Sequence, residues 1–295
     1  MTAIRVTERS IATSVLTNLQ GNIRRISETQ QQLSSGKLVS KASDSPGGAV
    51  AAMQVRSEMG RQQQHSRNAD DGLGWLTVAD STLATVVGQV NRVRDLTLQA
   101  MNTGSYGPDA GEAIVLEVVD IRRSLIGLAN ATYLDRPVFG GTTTGPVAFA
   151  ADGSYAGDAG SVIRAIADNT QVRVDVGGEE TFGSGADQLF SVLDDLVVAI
   201  RSNPGTISTS LTAIDQASTR LRSAQSTIGA RYNQVEKARQ AADDRLIDLQ
   251  TQLSNVEDID LPKTITDLQL RQTAYEAALA AAAKVVQPSL VDFLR

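Results

Sequence analysis

From Ala12 onward, apolar side chains recur at steps of three and four, interrupted only by Gln30: Val15, Leu19, Ile23, Ile26 and Leu33, separated by polar residues such as Asn18, Arg24, Glu28 and Gln31. That period places the apolar set on one face of a helix. Gly36 offers the left-handed cap that would end it. Ser40 to Ala49 is a turn by composition, and Ser45 before Pro46 reads as an N-cap with proline at the first helical position, so a second helix is expected to start there. Leu76, Ala79, Leu83, Val86, Val90, Val93, Thr97 and Ala100 then alternate threes and fours without a slip, which is a coiled-coil period. Residues 102–108 (NTGSYGP) break it, and Ile114, Val118, Ile121, Leu125 and Leu128 resume it on a shorter helix.

From about Pro137 to Ala186 the texture changes to Gly, Thr and Val, with Val172, Val174 and Val176 alternating as in a strand. A short helix is expected around Val162 to Ala167. A further helix follows Asp187, carrying Leu189, Leu193, Leu196 and Ile200, and Asn203-Pro204-Gly205 ends it. The longest pattern comes next: Ile207, Leu211, Ile214, Ser218, Leu221, Gln225, Ile228, Tyr232, Val235, Arg239, Ala242, Leu246, Leu249, Leu253 and Val256. At 1.5 Å per residue such a helix runs roughly 75 Å, so it must pack along something equally long. Asp260 before Pro262 favours a new helix start. Ile265, Leu268, Tyr275, Leu279, Ala282 and Val286 continue beyond it, and Leu290, Val291, Phe293 and Leu294 form a short apolar tail.

Matching seams in the first and last thirds predict a mainly α fold. Its form is an elongated antiparallel coiled-coil rod built from those thirds, with a small β-rich middle domain inserted at one end. Buried apolar area, at about 25 cal/mol per Å², would stabilise the seam. The expected divisions are 1–40, a terminal amphipathic assembly helix; 41–136, the N-terminal half of the rod; 137–186, the β-rich domain; 187–260, the C-terminal half; and 261–295, a terminal helix and apolar tail for assembly. Within the rod, Leu76, Leu83, Val86, Val90 and Val93 are expected to meet Leu221, Ile228, Tyr232, Val235, Leu246, Leu249 and Leu253. The terminal stripes lack obvious cover of their own. Val15, Leu19, Ile23, Ile26, Leu33, Leu268, Tyr275, Leu279, Val286, Leu290, Val291, Phe293 and Leu294 are therefore assigned to subunit contacts, in segments that order as neighbouring copies arrive.

Composition narrows the chemistry. Hydrophobic residues at 41% exclude a wholly disordered chain, while aromatics at 4% are thin filling for a compact globule. With 27 Lys+Arg against 33 Asp+Glu, a phosphate-binding surface is not expected, and nucleic acid is set aside. No run of eighteen apolar residues occurs and the first ten residues lack a signal-peptide core, so no membrane contact is expected and export would cleave nothing. The absence of cysteine removes disulfides and thiolate chemistry. The single histidine, His65, sits between polar neighbours and reads as an ordinary surface side chain. The acid pairs Asp70-Asp71, Asp194-Asp195, Asp243-Asp244 and Asp258/Asp260 lack the spacing of a calcium loop and read as solvated faces or caps. The glycine-rich pieces contain no nucleotide or nucleophile motif, and the Asn130-Ala131-Thr132 triplet sits on a helix end. No catalytic residue, cofactor or metal is expected.

Leu33-Ser34-Ser35-Gly36-Lys37 followed by Ala42 to Ala49 resembles the flagellin superfamily, whose first helix ends in an LSSG turn. Ser66-Arg67-Asn68-Ala69-Asp70-Asp71-Gly72 is similar to its RNANDG segment, Val90 to Leu96 to its LQRVREL helix and Ile228 to Asn233 to its LGAVQNR segment. Within the superfamily, Val138-Phe139-Gly140-Gly141 and the end from Thr266 to Leu294 resemble the hook-filament junction family. That resemblance implies a non-enzymatic adaptor, secreted to the extracellular flagellum and packed there as a ring of copies. Its implied partners are hook-associated protein 1 on one side, flagellin on the other, and an export chaperone before secretion. A short flagellin forming the filament itself is the alternative. An enzyme housed in the glycine-rich middle has no motif behind it.

Overall fold

The computed structural model describes residues 2–102 and 108–286, and the chain is mainly helical. Among the described residues the α-helices run α1 (Thr2–Ser35), α2 (Pro46–Asn102), α3 (Pro108–Ala129), α4 (Gly178–Phe182), α5 (Leu189–Ser202), α6 (Ile207–Glu257) and α7 (Leu261–Val286). Two compact units result: one comprises the chain up to Gly60 together with the chain from Ile247 on, the other Arg61–Leu246.

In the terminal unit, α1 packs against α7 beside the start of α2 and the end of α6. The helix ends are where local chemistry puts them. Gly36 takes φ +71°, a conformation costly for residues with a Cβ, and its N–H donates to the Gln32 carbonyl at 2.8 Å. The Ser45 hydroxyl accepts the Gly48 N–H at 3.2 Å, the N-cap that Pro46 announces. Asp260 caps α7 in the same way, accepting the Lys263 N–H at 3.1 Å.

In the other unit, the remainder of α2 and α6 run antiparallel. Ser66 meets Asp243, Asp70 meets Arg239, Asn91 meets Arg222 and Arg94 meets Asp215. The interval from Ser66 to Arg94 equals that from Asp243 back to Asp215, so the register holds along the whole pair. α3 lies beside α5, stitched by Arg201–Glu112 at 2.6 Å and Arg122–Asp194 at 2.8 Å. The Arg201 guanidinium holds the Glu112 carboxyl below the usual glutamate range.

The middle segment is β-containing but slight. β1 (Thr132–Tyr133) pairs with β2 (Arg136–Pro137), and β3 (Ile163–Ala167) with β4 (Thr170–Arg173), both antiparallel. The short helix expected at Val162 to Ala167 is therefore a strand. Its buried residues, Val162 and Ile166, sit at helical spacing, but the chain returns within two residues to pair Ile163 with Arg173. Ladder pairing decides between two periods that a five-residue piece cannot distinguish. Phe139, Phe149, Phe182 and Phe190 form one cluster, with ring centroids 5.2–5.8 Å apart, mostly edge to face. The scarce aromatic residues are thus concentrated where regular structure is thinnest. Asn130 at the end of α3 fastens this segment: its amide oxygen accepts the Ala148 and Phe149 N–H groups and its amide nitrogen donates to the Phe149 carbonyl, each at 2.8 Å.

Candidate assembly interface

The terminal stripes find partial cover in their own chain. On α1, Val15, Leu19, Ile26 and Leu33 are half-buried while Ile23 remains 50% exposed. On α7, Leu268 and Tyr275 are half-buried and Leu279 is 50% exposed. The Arg271 guanidinium donates to the Arg25 carbonyl at 3.2 Å, tying the two helices side by side. Val286 closes α7, with its side chain outside the described residues, as are Leu290, Val291, Phe293 and Leu294. Leu16 at 60% and Leu270 at 68% exposure widen the uncovered apolar surface of the pair. Neither belongs to the three-and-four stripe read from the sequence.

The seam between α2 and α6 is dry. Leu76, Leu83, Val86, Val90 and Val93 on α2 and Leu221, Ile228 and Val235 on α6 are at most 1% exposed. Tyr232 stands apart at 38% exposure. The buried positions of α6 recur every seven residues at Ile214, Leu221, Ile228, Val235 and Ala242, with Ala217, Ala224 and Ala238 three residues after the first, second and fourth of them. The second row of the heptad is therefore made of alanines one position before Ser218, Gln225 and Arg239, with Arg231 in the corresponding place before Tyr232. Leu246 is half-buried; in the terminal unit Leu249 is buried and Leu253 half-buried.

The segment around Ser66 to Gly72 joins α2 to the β3–β4 hairpin and to α6. Three side chains one helical turn apart reach the hairpin: His65 Nε2 lies 3.1 Å from Asp168, Asn68 donates to the Ala165 carbonyl at 2.8 Å, and Asp71 accepts Arg164 at 2.5 Å. On the other side Ser66 donates to Asp243 at 2.9 Å, and Asp70 lies 3.8 Å from Arg239. Gly72 leaves room for Val174, whose methyl carbon would stand 3.1 Å from any Cβ there. His65 is accordingly only 12% exposed, enclosed by the hairpin and not standing on open surface. The acid pairs serve the same end, each contributing at least one member to an ion pair, a hydrogen bond or a cap. Among the described residues, no group of three or more His, Asp or Glu is placed to hold a metal ion, and no helix is long and apolar enough to cross a membrane.

At the start of β4's exit, Asp175 is buried and accepts the Val162 N–H at 2.7 Å and Arg173 at 3.1 Å, while its carbonyl accepts Arg231 from α6. Burial and the neighbouring Arg173 depress the Arg231 pKa. These contacts tie the hairpin to the rod helices and leave no reactive group unengaged among them.

Comparison with known proteins accounts for this arrangement. Residues 6–136 match the bacterial flagellin N-terminal helical region and residues 211–294 the bacterial flagellin C-terminal helical region. The chain is 23% identical to flagellar hook-associated protein 3 of Escherichia coli, over 89% of this chain and 93% of that one. It is 24% identical to flagellin FlaB2 of Treponema pallidum, over 90% of this chain and 91% of that one. The crystal structure of flagellar hook-associated protein 3 from Legionella pneumophila shares the fold, with a TM-score of 0.61 at 16% identity, over 69% of this chain and 98% of that one. With both flagellin end regions matched in order, and the helices of those regions paired in the structure, this chain belongs to the flagellin superfamily and is a structural protein of the bacterial flagellum, not an enzyme.

Proposed function

We propose that this protein is the adaptor between hook and filament, seated on hook-associated protein 1 and presenting a ring of copies on which flagellin builds. The observation that carries an assembly role is the α1–α7 pair, whose stripes are half-covered within the chain and still expose Leu16, Ile23, Leu270 and Leu279. Large apolar side chains left exposed on both helices of the pair support a surface that another protein covers. Neighbouring copies supply the remaining cover. The junction role is favoured by near full-length matches to hook-associated proteins and by Val138-Phe139-Gly140-Gly141, all buried at the entry to the middle segment. Export before assembly, with a cytoplasmic chaperone guarding the terminal stripes, completes this reading.

Electron microscopy of a deletion strain tests it. Hooks without filaments are expected; intact filaments would remove the junction role. The flagellin matches make a short filament subunit the second reading, and quantitative mass spectrometry of sheared flagella separates the two, since one ring and a whole filament differ in copy number by orders of magnitude. Ile23→Asp and Leu279→Asp alter positions exposed in the subunit itself, so both should abolish incorporation while leaving residues 61–246 folded. Normal motility in both variants would remove the assigned surface.

A further inference from the structure

Two places in the Arg61–Leu246 unit hold large apolar side chains that the chain itself leaves uncovered. The first is the tip of the β1–β2 hairpin. Leu134 and Asp135 form its two-residue loop with positive φ, a left-handed backbone that residues with a Cβ adopt only at a cost. Leu134 is 73% exposed, and Asp135 is exposed and outside every ion pair among the described residues. The base of the hairpin is held firmly. Tyr133 packs edge to face on Trp75, the Arg136 guanidinium lies 5.6 Å from the centre of the same indole, and the Val138 N–H donates to the Ala131 carbonyl at 2.8 Å. A fixed, strained turn that presents a leucine to water gains the subunit nothing, and strain of this kind persists where it serves a contact.

The second place is the outer face of the α3–α5 pair. Glu112 meets Arg201 and Arg122 meets Asp194, so the two helices run antiparallel. One turn on from Glu112 is Leu116, and one turn back from Arg201 is Val198, which sets these two side chains next to each other. Both are 59% exposed. The two ion pairs flank them, and Arg123, on the same face as Leu116, is 78% exposed with only the adjacent-turn Asp120 as its partner among the described residues, a surface pair of little strength. An apolar centre inside a charged rim is the layout of a protein contact.

The two places complement each other: a leucine beside an unpaired carboxylate, and two aliphatic side chains edged by arginines. They do not meet within one chain, because Leu116 lies about 20 Å back along α3 from Ala129, whereas Leu134 stands beyond that end. A surface and its complement on different parts of one molecule form a heterologous contact, which repeats from copy to copy and closes into a ring when the rotation allows.

We propose that the Leu134–Asp135 turn of one copy docks on the Leu116–Val198 pair of the next, with Leu134 on the two aliphatic side chains and Asp135 facing the arginines of the rim. The contact rests on the reading that copies of this chain assemble with one another, and it names surfaces outside the terminal helices by which they meet.

Photo-cross-linking in flagellated cells tests the contact. In the full chain carrying Leu134→benzoylphenylalanine, ultraviolet light should join two copies, with the acceptor peptide drawn from residues 108–129 or 189–202 of the second. A link to another protein, a link to a different surface, or no link in chains recovered from flagella would overturn the contact. Should the bulky side chain keep the variant out of flagella, competition with co-produced wild-type chain provides the reading. Leu134→Asn combined with Asp135→Gly relieves the turn, yet it should be incorporated about tenfold less than wild type. Leu116→Ser combined with Val198→Ser, both at exposed positions, should be depleted in the same way. Equal incorporation of both variants would overturn the contact and leave the adaptor reading standing, whereas a wild-type chain absent from flagella would overturn that reading and the contact with it.

Discussion

Gly74 on α2 lies directly beneath the phenol of Tyr133, whose hydroxyl occupies the space that a Cβ at position 74 would need. Tyr133 in turn meets Trp75 edge to face, ring centroids 5.9 Å apart, and burial raises the pKa of its phenol. In an exposed helix, Gly→Ala gains up to about 1 kcal/mol. At Gly74 the sign should reverse, because Tyr133 must leave Trp75 to admit even a methyl group. Gly88 on the same helix has nothing within 4 Å of its missing Cβ. Thermal unfolding should therefore show Gly74→Ala losing several degrees in Tm and Gly88→Ala holding or gaining; equal behaviour would disprove the contact.

The turn that carries Tyr133 is strained. Leu134 and Asp135 both have positive φ, +47° and +61°, in a two-residue hairpin loop that favours Asn-Gly. Leu134 is also 73% exposed, so its side chain stabilises nothing within the chain. Replacing the pair by Asn-Gly should raise stability by about 1–2 kcal/mol, read from chemical denaturation. No gain would mean that the turn is not in this conformation in solution.

Asp158 accepts hydrogen bonds from the Thr142 N–H at 2.7 Å, the Thr142 hydroxyl and the Gly160 N–H, all of which favour its charged form and lower its pKa. A depressed folded pKa contributes stability at and above the ordinary aspartate value, about 3.9, and that contribution is lost as pH falls through the lower, folded value. Hydrogen exchange in residues 140–160 should accelerate across that acid window, relative to the intrinsic rate. In Asp158→Asn the loop should be looser at neutral pH and lack this step. An acid step of the same size in the variant would assign it elsewhere.

Where the second row of the α6 heptad lies is also open to measurement. Ala224 is 6% exposed within the core, and enlarging it to Leu should cost about 1–3 kcal/mol through overpacking. Tyr232, 38% exposed, should tolerate Ala with a loss under about 1 kcal/mol, whereas Ile228→Ala should cost about 2–5 kcal/mol. A Tyr232→Ala loss as large as that of Ile228→Ala would return the tyrosine to the seam.

Helix existence, type and ends were legible in the chain because their causes are local. The αL glycine at 36, the Ser45-Pro46 start, the Asp260 cap and the sevenfold recurrence from Ile214 to Ala242 all act within a few residues of one another, and the structure places them where they were read. What the pattern misassigned turned on size. Tyr232 looks like a core residue and Ala224 looks neutral, but two antiparallel helix backbones packed closely side by side select small side chains in one row of the heptad.

Only tertiary structure decided the rest. The enclosure of His65 and the burial of Glu257 depend on partners far away in the chain, Asp168 being 103 residues from His65 and Lys37 220 from Glu257, while the exchange of helix for strand at Ile163–Ala167 and the role of Asn130 depend on nearer partners that the local period does not reveal. Periodicity records which face of a helix avoids water. It carries no information about which distant group arrives to cover that face or to neutralise a charge within it, and that choice is made by packing.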